Sequence, residues 1–197
     1  MMPASARKIL PADILSDAEY LARRKALRGE AIALKKNRRV EVGPFATFYF
    51  ENYQTMWLQV QEMLRIEKGG AAQMEGELEV YNPLIPQGSE LIVTLMLEIE
   101  DEKRRNAVLL TLGGIEETIF LEIGGGRIRA TPTEYDDRTT PDGKTSSVHW
   151  LRFALTPEQI GQFSAGARSV LEIAHPHYGH MAVLPQPVQS ALAEDFA

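Results

Sequence analysis

The sequence contains no cysteine, which excludes disulfide bonds, thiolate metal centres, cysteine nucleophiles and iron–sulfur clusters held by the chain itself. Long apolar runs are also missing. The longest, at residues 91–97, has seven residues and is far too short to cross a membrane. The segment Met1–Ile14 lacks the apolar core of a signal peptide. These absences predict a cytoplasmic protein with no membrane-spanning helix.

Acidic and basic residues are unevenly distributed along the chain. The formal net charge is −6, yet residues 1–40 contain ten Lys or Arg against four Asp or Glu. Eight of these basic residues lie between Arg23 and Arg39, where Glu30 is the one acidic residue. Such a segment can attract phosphate, nucleic acid or an acidic protein, or it can be a solvated helix face. The pI of about 5.3 argues against nucleic acid.

Helical periodicity appears in two early segments. Apolar residues recur at helical spacing over about 17–36, with Asp13 and Asp17 as candidate N-caps. A stronger apolar stripe occupies 53–67, where Asn52 can cap the helix. Both segments predict helices that pack one face against a core.

Short alternating runs separated by glycine predict strands. Gly43-Pro44 separates two such runs, and the triple glycine at 124–126 is typical of a hairpin turn. A last hairpin is predicted from Ser169–Ala174 and His180–Leu184, with histidines in its loop. The run from Leu91 is apolar on both faces, as expected of a central strand covered on both sides.

Together these patterns predict a single α+β domain over residues 1–197. It should have an N-terminal helical segment at about 12–36, a β-rich body at about 38–185 and a short C-terminal helix at 188–196. We expect a mainly antiparallel sheet of about 6–8 strands, with helices packed on one face.

All four histidines lie late in the chain, and imidazole is the commonest nitrogen ligand for metals. They are His149, His175, His177 and His180. The two-residue period of a strand places His149 and His175 on the apolar faces of their strands. If these strands are neighbours, both rings could bind a divalent metal, with Glu134 or Asp137 completing the site. The alternative is a structural or exposed role for each ring.

Recognised catalytic motifs are missing. Gly143-Lys144-Thr145 lacks the first glycine of a phosphate-binding loop, because that position holds Arg138. His-Glu-x-x-His and Gly-x-Ser-x-Gly do not occur. These observations favour binding over catalysis without excluding an enzyme.

The second predicted helix carries a polar side that is either a recognition surface or ordinary helix surface. Its amides can donate and accept hydrogen bonds at once, which suits binding without reaction chemistry. Together with the basic segment, the candidate partner- or anion-binding residues are Arg23, Arg24, Lys35, Lys36, Arg38, Arg39, Gln54, Gln61 and Arg65.

Several segments resemble a bacterial family catalogued as domain of unknown function 3501, and they span nearly the whole chain. They are Leu34–Pro44, Phe50–Thr55, Gln59–Glu67, Tyr81–Pro86, Lys144–Phe153 and His175–Tyr178. The resemblance implies no established activity, cofactor or catalytic residue. It does imply a gene neighbourhood with a rubrerythrin-like diiron protein and an iron–sulfur oxidoreductase subunit, and hence an accessory role in redox or oxidative-stress metabolism.

Three functional hypotheses follow. The favoured one is an accessory protein that binds a redox partner and needs no cofactor. The alternative is a metal-binding protein or metal-dependent enzyme that uses the late histidines and a divalent metal. The third is an anion or nucleic-acid binder that works through residues 23–39.

Overall fold

The computed structural model describes residues 7–133 and 138–196, which form six α-helices and nine β-strands. The helices are α1 (Asp17–Lys36), α2 (Tyr53–Glu67), α3 (Gly70–Tyr81), α4 (Glu102–Leu109), α5 (Pro157–Ser164) and α6 (Gln186–Ala193). The strands are β1 (Arg39–Val42), β2 (Ala46–Phe50), β3 (Glu90–Leu97), β4 (Ile119–Ile123), β5 (Gly126–Arg129), β6 (Thr131–Pro132), β7 (Val148–Ala154), β8 (Ser169–His175) and β9 (Tyr178–Val183).

The strands form two antiparallel sheets. One has five strands in the order β1-β2-β3-β7-β6, and the other has four in the order β5-β4-β8-β9. The predicted α+β class and antiparallel pairing are confirmed. The described strands number nine, more than the 6–8 expected, and they form two sheets instead of one. The sequence did not predict this division, because alternation within a strand does not specify the neighbours of that strand.

The main core lies between the sheets, where buried side chains of both form one cluster. β3 is the central strand of the larger sheet and is buried on both faces, as its continuous apolar run predicted. Leu109 of α4 joins this cluster at one end of β8, and Phe163 of α5 and Leu192 of α6 join it at the other. The short helices therefore cover the two ends of the sandwich.

A second core lies between the outer face of the five-stranded sheet and the helices α2 and α3. Ile92 of β3 contributes to it from the sheet, and the predicted apolar stripe of α2 contributes Met56, Trp57 and Val60. The Trp57 indole N–H also donates to the carbonyl of Asp13 at 2.9 Å, which holds the segment before α1 on this helix. The expectation that helices pack on one face is met here.

The N-cap of α1 is Ser16, and neither Asp13 nor Asp17 has that role. The Ser16 side chain accepts from the Glu19 N–H, and the Glu19 carboxylate accepts from the Ser16 N–H, forming a capping box. Asp13 instead lies in a short 3-10 turn, where it accepts from the Leu10 N–H at 2.8 Å. Ser16 has the extended backbone of an N-cap, whereas Asp17 is already the first residue of the helix.

The edges of the two sheets meet where β9 approaches the turn between β1 and β2. The Tyr178 hydroxyl donates to the Val42 carbonyl at 2.8 Å and accepts from the N–H groups of Phe45 and Ala46 at 3.2 and 3.1 Å. Gly43 adopts a φ of 74°, and a Cβ there would lie 2.6 Å from the same hydroxyl oxygen. Close approach and positive φ both require glycine at this position.

Within the described part of the chain, no helix combines the length and the apolar content that crossing a membrane requires.

Candidate functional site

His149 lies on the inner face of β7 and is 1% exposed, with its neighbours Leu151 and Phe153 also buried. Its Nε2 is 2.9 Å from the Ser146 carbonyl oxygen. Because a carbonyl can only accept, Nε2 carries the hydrogen, and the neutral ring presents a lone pair at Nδ1.

The Nδ1 atom of His149 faces Glu116 Oε2 at 3.8 Å, too far for a hydrogen bond. Both atoms are buried and have no hydrogen-bond partner among the described residues. Burial lowers the pKa of His149, although the Glu116 carboxylate opposes that shift. The ring is therefore held in its neutral form by its surroundings.

His175 lies at the end of β8 on the inner face, as its alternation with Leu171 and Ile173 predicted. Its Nε2 donates to the Gly113 carbonyl at 3.3 Å, and its Nδ1 accepts from the His177 N–H at 3.2 Å. Both ring nitrogens of His175 thus form hydrogen bonds, one with the turn between β8 and β9 and one with the segment after α4.

The predicted histidine site is not assembled in the described residues. β7 and β8 lie in different sheets, although His149 and His175 both contact residues 113–116. His177 and His180 are exposed, and the His180 ring packs at 4.5 Å from the Tyr178 ring. Within residues 7–133 and 138–196, no three His, Asp or Glu side chains are placed to hold one metal ion.

The carboxylates predicted to complete a metal site, Glu134 and Asp137, lie outside the described residues. A divalent metal at the histidines therefore stays a prediction.

The basic segment does not form one continuous cationic surface. Arg38 is 3% exposed, pairs with Asp195 and donates to the carbonyls of Phe50 and Glu51, so its guanidinium is not available to a partner. Arg39 is exposed and pairs with Glu41. Arg38 therefore has a structural role, and the charge of Arg39 is partly neutralised by Glu41.

Arg24 and Tyr20 join α1 to α2 through the carboxylate of Glu62, which also accepts from Arg65 of its own helix. Glu62 accepts from Arg24 at 2.7 and 3.0 Å, from Arg65 at 3.2 and 3.3 Å and from the Tyr20 hydroxyl at 2.7 Å. Hydrogen bonding from Arg24 is the main cause that lowers the pKa of Glu62 to about 2. Tyr20 is the single fully buried side chain of α1, so this helix is fixed mainly near its first turns.

Beyond Tyr20, an open groove runs between α1 and α2, and we call it the α1–α2 groove. It has a volume of about 440 Å³, within the ~300–1,000 Å³ range typical of ligand sites. Its lining residues are Leu15, Arg23, Leu27, Glu30, Ala31, Ala33, Leu34, Gln54, Trp57 and Leu58. The walls are mostly apolar, and Arg23, Glu30 and Gln54 are the polar groups.

The α1 side of the groove is the stripe Arg23, Leu27, Ala31 and Leu34, spaced at one helical turn. The leucines and Ala31 are only half-buried. The sequence predicted that the apolar positions of α1 face a core. In the structure Leu27 packs partly against the second core, and Ala31 and Leu34 stay half-exposed in the groove. One feature of the sequence could have indicated this exposure: α1 has few large apolar residues compared with the dense apolar stripe of α2.

Small residues continue the groove onto the free side of α1. They are Ala22, Ala26, Gly29 and Ala33, all exposed and spaced four, three and four residues apart. A Cβ added at Gly29 would meet no atom within 4 Å. This row, which we call the small-residue row, lies next to the groove because Ala33 belongs to both.

The remaining candidates divide between the groove and the interior. Gln54 lines the groove, whereas Gln61 is 3% exposed and its amide nitrogen has no partner among the described residues. Gln61 is therefore not a surface recognition group. Lys35 is half-buried and Lys36 is exposed at the C-terminal end of α1.

Comparison with known proteins gives a family and a structure of similar fold. A family model described as "Protein of unknown function (DUF3501)" matches residues 8–196. A crystal structure of a novel protein of unknown function from Burkholderia pseudomallei K96243 is 34% identical, with a TM-score of 0.88, over 96% of this chain and 100% of that chain. No curated protein matches.

Proposed function

The chain belongs to the DUF3501 family, and we propose that it is a non-catalytic interaction protein that holds a helix of a partner protein in the α1–α2 groove. The single observation that supports this most strongly is the open stripe of α1. A 20-residue helix that fully buries one side chain, Tyr20, and packs Leu27 partly against the second core leaves Ala31 and Leu34 half-exposed, so they can contact another molecule.

A helix is the occupant that the walls fit best. Two helices form the groove, and a third helix laid along them would place side chains at turn spacing against Leu27, Leu34 and Leu58. The small-residue row would let its backbone come within the 8–10 Å that packed helices share. In contrast, the buried polar side chains His149, His175 and Arg38 are used in contacts inside the fold.

The family resemblance suggests which partners to test first: a rubrerythrin-like diiron protein and an iron–sulfur oxidoreductase subunit. A role beside such redox proteins suits a chain without cysteine, because the chain would bring no redox group of its own. A metal site at the histidines and nucleic-acid binding through residues 23–39 stay alternative predictions.

Ala33→Trp tests the groove, because the indole would occupy it while replacing an exposed residue of α1. Ile32→Trp is the matched control, since Ile32 is 70% exposed on the opposite side of the same helix. We expect the purified wild-type and Ile32→Trp chains to bind one of the two redox proteins in a titration by calorimetry. Ala33→Trp should weaken that binding by at least about tenfold.

Circular dichroism checks that both variants keep the wild-type helix content. The proposal is wrong if neither redox protein binds the wild-type chain, or if Ala33→Trp and Ile32→Trp bind equally well.

A further inference from the structure

We infer that α1 of a second copy of this chain covers the α1–α2 groove when no partner protein is present, so that the free protein is a two-fold symmetric dimer. The inference goes beyond the proposed function, because it concerns the free protein and needs no redox partner. Three features of the groove support it: the signs of its charges, their positions along α1 and the shape of the helix face beside it.

The groove has two charged side chains in its lining, and their signs are opposite. They are Arg23 and Glu30, and both are exposed. They lie seven residues apart, roughly 10 Å along the helix axis. This is farther than the three- or four-residue spacing at which side chains of one helix pair with each other. An opposite charge from another molecule can therefore contact each of them.

An antiparallel second copy of α1 matches both charges at once. A two-fold axis halfway between Arg23 and Glu30, next to Ala26, places each arginine beside the glutamate of the other copy. A parallel second copy in register would instead place like charges side by side and would be repelled. The two charges therefore specify both the antiparallel direction and the register of the second helix.

The face of α1 beside the groove is narrow enough to pack there. No side chain of the small-residue row is larger than a methyl group, so two helix backbones can approach to the ~8–10 Å typical of packed helices. The second helix would cover Leu34 of α1 and Leu58 of α2, which are half-buried in the groove, and burial of their apolar surface stabilises the pair.

Two-fold symmetry makes the contact reciprocal. Each copy inserts its small-residue row into the groove of the other, so α1 and α2 of both copies together form a four-helix assembly. If the proposed function also holds, a partner helix has to displace the second copy before it can enter the groove.

Reversing the two charges, first one at a time and then together, tests the dimer. Sedimentation velocity of the full chain across a dilution series at low salt gives the dissociation constant of the dimer without any redox protein. We expect the wild type to dimerise. Arg23→Glu or Glu30→Arg should weaken the dimer by at least about tenfold, because each variant brings like charges together. The double variant Arg23→Glu with Glu30→Arg exchanges the charges and should restore the dimer.

Lys25→Glu is the matched control for Arg23→Glu. It makes the same charge change two residues later, roughly 200° around the helix and thus on the side of α1 that faces away from the groove. This variant should dimerise like the wild type. Circular dichroism checks that every variant keeps the wild-type helix content. The double variant has the wild-type net charge and composition, so a change in net charge cannot mask or mimic its recovery.

A wild-type chain that stays monomeric across the dilution series would overturn the inference. A dimer that neither single reversal weakens would also overturn it, as would a double variant that stays as weak as the single ones or a Lys25→Glu variant that loses the dimer equally. None of these results decides whether a redox protein binds, which the calorimetric titration measures separately. A dimer with the expected response to charge would stand even if neither redox protein bound.

Discussion

At the scale of single residues, His149 shows how a buried ring is held in one tautomer by one carbonyl. The Ser146 carbonyl fixes the hydrogen on Nε2, and Glu116 then faces a lone pair at Nδ1. The stability of the fold should therefore depend on pH, because protonating this ring would place a positive charge in the buried interior.

We expect the protein to lose stability on acidification through His149. Burial lowers its pKa in the folded chain, so below the ordinary value of about 6.5 the unfolded chain takes up a proton more readily than the folded one. Stability from this residue is therefore fully present above that pH and falls by up to ~1.4 kcal/mol per pH unit as the pH drops. Urea unfolding of the wild type and His149→Gln between about pH 5 and pH 8 measures it.

His149→Gln should unfold with a smaller pH dependence, because its amide can still donate to Ser146 but does not titrate in this range. Glu116→Gln is the companion variant, since its amide can donate to Nδ1 and satisfy an atom that lacks a partner. It should raise the stability at neutral pH by about 1 kcal/mol. Identical pH profiles for the wild type and His149→Gln would show that His149 does not control the acid response.

The sequence predicted part of this residue-scale chemistry. Alternation along the strands correctly placed His149 and His175 on inner faces. It could not predict their partners, because Gly113 and Glu116 come from a distant segment that reaches them only in the folded sandwich.

At the scale of elements, α1 and α2 differ in how much of their surface is buried: α2 packs a full face against the sheet, whereas α1 fully buries one side chain. The stripe of α2 is dense and buried, and its position and Asn52 cap were predictable. α1 has the predicted bounds, but its apolar positions are sparse, so periodicity alone could not tell an open stripe from a covered one.

Gly29→Ala should stabilise α1 because Gly29 lies in mid-helix, is exposed and has open space where a Cβ would go. We expect a gain of about 0.5–1 kcal/mol, from helix propensity alone. Amide hydrogen exchange in α1 and the thermal midpoint by circular dichroism measure the gain. Gly43→Ala is the opposite control, since a Cβ there meets side chains at 2.6 Å. A lower midpoint for Gly29→Ala would show that the helix is strained at this position.

At the scale of the whole molecule, the order of the strands in the two sheets could not be predicted from the sequence. The alternation within each strand predicts which face is buried. Which strands become neighbours depends instead on contacts between segments such as β1 and β9, more than a hundred residues apart. The meeting of these strands rests on the three hydrogen bonds of Tyr178.

Tyr178→Phe should destabilise the chain by about 2 kcal/mol, because it leaves two backbone N–H groups and one carbonyl without their partner at a buried contact. Tyr49→Phe is the matched control, since its hydroxyl bonds to Glu98 at the surface and its loss should cost less than about 0.5 kcal/mol. Urea unfolding compares the two variants with the wild type. Equal losses would mean that the phenol is not what holds the sheet edges together.

The Tyr178 contact also has a kinetic consequence. A sandwich whose edges are held by one side chain has a preferred place to open, and the amides around the β1–β2 turn and along β9 should exchange with solvent before those of β3. Opening there would separate the edge strands β1 and β9, while α1 and its groove stay attached to the outer face of the larger sheet. The surface that we propose for binding could then outlast the first stage of unfolding.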